Sequence, residues 1–125
     1  MKKQQFGAGI WHFATYVDRY ATDGYGEPRS VLDAIELAGK VKDLSVVDIN
    51  YPYFGGNFTN EEIKIALDKV NLKVIGITPE IYTKEFRKGA FTNPDSGVRK
   101  RAHELITEAC EAVRFFNAAY VKLWP

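Results

Sequence analysis

Apolar positions along this chain fall into two alternating rhythms. Four short runs rich in β-branched residues read as strands: Phe6 to His12, Leu44 to Asn50, Leu72 to Thr78 and Ala119 to Trp124. Between them, three segments repeat their apolar residues at the period of a helix. The first runs from Ser30 to Val41, with Val31, Ile35, Ala38 and Val41 on one face. The second runs from Thr59 to Val70, with Ile63, Ala66, Leu67 and Val70. The third opens at Asn93 and carries Val98, Ala102, Leu105, Ile106, Ala109, Val113 and Phe116. Start signals agree with the periodicity. Ser30 with Asp33, after Pro28, and Thr59 with Glu62 make capping boxes, while Asn93 is placed to cap a helix whose first residue is Pro94.

The resulting order, βαβαβαβ, is that of parallel strands joined by crossover helices within one domain spanning residues 1–125. Right-handed crossovers predict strands in sequential order with all three helices on one side of the sheet. The other face is expected to be apolar and uncovered, and strands one and four to be open edges, which together predict a homo-oligomer. The final strand runs to Pro125 with nothing after it to cover it, so the chain is expected to be one piece of a larger fold.

Loop lengths point to where chemistry belongs. The connections leaving the strands are long, about 17, 9 and 14 residues in turn, whereas those from helix back to strand are only a few residues. In such sheets the long connections hang over the carboxyl ends of the strands, where ligands bind. Aromatic and polar residues crowd that edge: Trp11, His12 and Phe13; Asn50, Tyr51 and Tyr53; Glu80 and Tyr82; Trp124.

Composition narrows the classes of function. A hydrophobic fraction of 46% in 125 residues supports a folded core. The 17 basic and 16 acidic side chains leave a formal charge of +1, which gives no general attraction to nucleic acid or anionic lipid. The MKKQQ start is followed by an apolar run too short and too broken by glycine for a leader or a membrane span, so a cytoplasmic location without membrane contact is expected. The single Cys110 falls in the apolar pattern of the third helix and reads as a small buried hydrophobe rather than a reactive thiol.

Candidate chemistry is sparse and each residue has a plain structural alternative. Trp11 and Trp124 suit carbohydrate, because an indole packs on the C–H face of a sugar while its N–H donates; they equally suit ordinary packing. Tyr82, Tyr51 and Tyr53 can stack and donate, or simply seal the sheet edge. His12, next to Trp11 on a strand, is expected to face the helices as a structural histidine, with proton transfer as its alternative role. Asp48 and Asn50 share one face of the second strand, fit either to orient a hydroxyl-rich ligand or to brace backbone. Glu80, after Thr78-Pro79, is a candidate general base. His12 and His103 are far apart in sequence and no cluster has ligand spacing, so no metal site is expected in this chain. Gly55 and Gly56 read as a turn, not a phosphate cradle.

FGAGIWHF, Asp18-Arg19-Tyr20, Gly24-Tyr25-Gly26, the GAFTNPDSGVRKRAHE stretch and the closing YVKLW, in this order and spacing, resemble the N-terminal half of a xylose-isomerase-like sugar isomerase or epimerase. The firmest match runs from Lys64 to Trp124. The resemblance implies a partial (β/α)8 barrel of α/β class, holding strands one to four and three crossover helices; a whole barrel takes roughly 250 residues. It implies a parent enzyme that interconverts aldose and ketose with a divalent metal, Mn, Mg or Co, whose ligands come from the last four strands. This chain would then bind no cofactor itself and be inactive alone. Carried over residue by residue, Trp11, Tyr82 and Trp124 match aromatic residues of the sugar pocket. Asn50 falls near the place of a histidine that assists ring opening, a departure that leaves room for a rhamnose-isomerase-like enzyme or another ketose isomerase. A non-catalytic carbohydrate-binding or half-barrel assembly module stays open beside it. An apurinic endonuclease relative is the third reading, and the basic pocket and metal spacing it requires are missing from the sequence.

Overall fold

The computed structural model describes residues 4–124 apart from 16, 19 and 22. Arg19 of the Asp18-Arg19-Tyr20 stretch, the start of MKKQQ and Pro125 lie outside the described residues. Strands β1 (Phe6–Gly9), β2 (Leu44–Tyr51), β3 (Lys73–Pro79) and β4 (Tyr120–Val121) form one parallel sheet in that spatial order. Helices α1 (Val31–Gly39), α2 (Asn60–Lys69) and α3 (Ser96–Phe116) make the crossovers.

The helices bury their apolar stripes against the same side of the sheet. Val31, Ile35 and Ala38 of α1, Ile63 and Leu67 of α2, and Ala109 and Ala112 of α3 join one core with Val47, Ile49 and Ile77. Each fully enclosed isoleucine there contributes about 1.5–3 kcal/mol of transfer free energy. Val41 falls outside the stripe assigned to it, because α1 ends at Gly39 and leaves Val41 exposed. Cys110 is half-buried rather than enclosed.

The opposite sheet face departs from a second expectation, for it mixes polar residues with Val46, Ile75 and Tyr120 instead of being apolar. The side chains alternating with Val47, Ile49 and Ile77 are Asp48, Asn50 and Thr78, with exposures of only 5%, 2% and 2%. Tyr120 crosses this face over Gly76, where any added Cβ would sit 2.1 Å from the tyrosine ring.

Local signals explain the ends of the elements. Ser30 with Asp33 and Thr59 with Glu62 both form complete reciprocal capping boxes. Thr59→Ala is expected to cost about 1 kcal/mol, read by urea unfolding; an unchanged midpoint would mean that the box adds nothing to α2. Helix α3 begins two residues later than expected. Asn93 is committed to the loop, its amide donating to Gly89 O at 2.7 Å and its oxygen accepting from Asp95 N–H at 3.0 Å. Asp95 therefore becomes the cap, accepting from Gly97 N–H at 2.7 Å. The three short helix-to-strand turns each pass through a left-handed residue, Asp43, Asn71 and Asn117. These two residue types tolerate that conformation best among those with a side chain.

Candidate functional site

The three long connections meet at the carboxyl ends of the strands around an open cavity of about 620 Å³. Trp11, Asn50, Tyr82 and Trp124 all line it, together with Thr78 and Glu80. Two of the four reach it by routes the sequence did not suggest. β1 stops at Gly9, and Ile10–Phe13 turn into a 3-10 helix that sends Ile10 into the core and Trp11 toward the cavity. The turn also breaks the alternation expected for His12, which is exposed instead of facing the helices; its Nδ1 lies 3.1 Å from Gly9 O. β4 ends at Val121, so Trp124 is not a strand residue, and it reaches the cavity wall from beyond the strand while 61% exposed.

Asn50 and Tyr82 form the polar center of the cavity. The Asn50 amide donates to the Tyr82 hydroxyl at 2.6 Å, while its Oδ1 is buried without a hydrogen-bond partner. Glu80 lies at the end of β3, its backbone N–H donating to Tyr51 O at 2.8 Å. No hydrogen-bond or ion-pair partner meets its carboxyl among the described residues, and burial pushes its pKa up to about 7.

Beside the cavity, a line of contacts crosses the sheet. Thr78 Oγ1 donates to Asp48 Oδ1 at 2.6 Å. The other carboxylate oxygen of Asp48 faces Lys122 Nζ at 3.3 Å, an ion pair outside hydrogen-bond geometry. The same ammonium stands 4.1 Å from the center of the Trp11 ring, within cation–π range. Trp11 thus divides the main cavity from a more open hollow over Gly7, Gly9, Asp48, Tyr120 and Lys122. Asp48 consequently braces the sheet rather than facing the main cavity.

The rim is built by the loops themselves. In the connection after β1, Asp18 Oδ1 accepts from Tyr20 and Ala21 N–H at 2.7 and 2.8 Å, and its Oδ2 from the Tyr25 hydroxyl at 3.0 Å. Gly55, with φ +80°, brings the loop after β2 so close to the cap of α1 that a Cβ would lie 2.4 Å from Ser30 Cα. The adjacent Phe54 carbonyl accepts from Val31 N–H at 2.9 Å. Tyr51 and Tyr53 stack edge to face, and the Tyr53 hydroxyl bonds Asn60 instead of entering the cavity. Burial raises the pKa of both.

No protein-family model matches this chain, and no curated protein does. Among the described residues no group of three His, Cys, Asp or Glu side chains is arranged to hold a metal. His103 is exposed on α3 against the Phe91 ring, away from the cavity. No helix among the described residues is long and apolar enough to cross a membrane.

Sequence reasoning missed Thr78 and Lys122. Both were visible in the pattern: Thr78 ends an otherwise apolar strand, and Lys122 is two positions from Tyr120, on the same side of its segment.

Proposed function

We propose that this chain forms a carbohydrate-binding wall, the N-terminal half of the pocket of a metal-dependent aldose–ketose isomerase of the xylose-isomerase-like kind. In this reading it supplies four strands of a (β/α)8 barrel, and other strands supply the metal ligands. The observation that carries the reading is the meeting of Trp11, Tyr82 and Trp124 around one cavity at the carboxyl edge of a parallel sheet. Aromatic faces take the C–H surface of a sugar, and the Asn50–Tyr82 pair beside them is suited to its hydroxyls. The lining surface is largely apolar and its charged groups, Asp18, Asp23 and Glu80 against Arg29, are net acidic, which matches an uncharged polyol better than a phosphate.

Titration with D-xylose or L-rhamnose tests this, followed by tryptophan fluorescence and by amide shifts at Asn50 and Tyr82. The chain has two tryptophans, so each single variant isolates the signal of the other. Saturable changes are expected, and Trp11→Ala or Trp124→Ala should each weaken binding roughly tenfold, or about 1.4 kcal/mol. Absence of saturation with both sugars, or affinities indifferent to both substitutions, rules the reading out.

A further inference from the structure

We infer that Glu80 is a general base that opens and recloses the hemiacetal ring of a bound reducing sugar, giving this chain an aldose mutarotation activity of its own. The inference rests on the cavity being a carbohydrate site and adds a reaction to it. Glu80 lines the cavity from the last turn of backbone after β3, held in place by the hydrogen bond from its own N–H to Tyr51 O at 2.8 Å. Its carboxyl is partly buried, yet no side chain or backbone group among the described residues pairs with it. A structural carboxylate at such a depth is normally tied into hydrogen bonds or an ion pair, as Asp48 is to Thr78 and Lys122. Glu80 instead lines the cavity without such a partner among the described residues.

Of the carboxyls that line the cavity, Glu80 comes from the end of a strand, whereas Asp18 and Asp23 come from the loop after β1, Asp23 being exposed. Asp18, Asp23 and Arg29 reach the cavity from the loop after β1, as does Tyr20, and Tyr82 from the loop after β3. Asp18 is engaged by Tyr20, Ala21 and Tyr25, and Tyr82 by Asn50. None of the five contributes to the displacement of Glu80, whose only cause is burial, and the resulting pKa of about 7 suits proton transfer near neutrality.

Ring opening requires no metal and no redox partner. The Glu80 carboxylate takes the proton of the anomeric hydroxyl, the C1=O1 double bond forms and the C1–O5 bond breaks with its electron pair going to O5. A water molecule protonates O5, and the carboxyl returns its proton to the hydroxide left behind. Rotation about C1–C2 and the reverse sequence give the other anomer, with no net change of atoms or charge.

The test is the rate of anomer equilibration of freshly dissolved α-D-xylose, followed by polarimetry or proton NMR above the buffer background, with sugar affinity measured on the same samples. The chain should accelerate equilibration, and the acceleration should rise between pH 6 and 8 with a midpoint near 7. Glu80→Gln should lower it about 100-fold or more while affinity stays within about threefold. Glu80→Asp should keep a weaker acceleration that still titrates. Binding without acceleration, or equal acceleration by Glu80→Gln, overturns the inference and leaves the binding reading intact. Absence of binding overturns both.

Discussion

Phe86→Ala is expected to destabilise the protein by about 3–5 kcal/mol, the range for truncating an enclosed phenylalanine. Phe86 is 1% exposed at the end of a short 3-10 turn, Lys84–Phe86, and packs with Ile81, Ala90, Ala102 and Leu105 in a small cluster of its own. That cluster fastens the loop after β3 onto α3, and the same loop carries Tyr82. Truncation therefore removes more than buried area. It also frees the segment that sets the Asn50–Tyr82 hydrogen bond, so amide exchange at Tyr82 should quicken along with the lower urea midpoint. A loss under 1 kcal/mol, or unchanged exchange at Tyr82, would show that the loop is held by Asn93 and its bonds to Gly89 and Asp95 instead.

The second large effect is in pH. Glu80 has a folded pKa of about 7 against an ordinary 4.5. Between those values the folded chain holds a proton that the unfolded chain has released, so stability falls as pH rises through this window. The displacement corresponds to about 3 kcal/mol, and contact with cavity water reduces that to about 2–3 kcal/mol. Glu80→Gln should remove the dependence, gaining about this much on the wild type between pH 5 and pH 8 in paired urea titrations. Asp33 and Glu62 run the other way. Hydrogen bonds from Ser30 and Thr59 lower their pKa values, so their contributions are present above the ordinary carboxylate range and fade in acid, below the window in which Glu80 acts. Parallel pH profiles of wild type and Glu80→Gln would mean that the Glu80 carboxyl is fully hydrated.

Much of the fold is legible because the local signals agree with one another. LSVVDINY and KVIGITP sit between capped helices of clear period, and their strands, order and parallel sense follow. The same strands also contained the evidence against an apolar second face: Asp48, Asn50 and Thr78 alternate with the core residues, whereas a strand buried in apolar surroundings on both sides would be apolar throughout. FGAGIWHF was harder. Its IWHF run fits a period of two or three equally well, and the tertiary demand that Ile10 fill the core selected the 3-10 turn. The start of α3 turned on the loop's claim on Asn93, which left Asp95, two residues on, to cap the helix. At the site, Trp11, Asn50, Tyr82 and Trp124 stood out by type, by position at or just past the carboxyl end of a strand, and by the resemblance that matched them to a sugar pocket. Lys122 was passed over because a lysine in a strand ordinarily reads as solvated surface, and its partners Asp48 and Trp11 are brought to it only by the sheet.

The contacts running from Trp11 through Lys122 and Asp48 to Thr78 draw on the segments of all four strands. Such a transverse tie separates two kinds of heritable change. Substitutions and insertions in the long connections can reshape the mouth and alter which ligand enters, while the floor keeps its dimensions because it is fastened from strand to strand beneath them. A lineage carrying this tie can explore new ligands by loop exchange alone, and the positions that must stay matched during that exploration are the four residues of the tie.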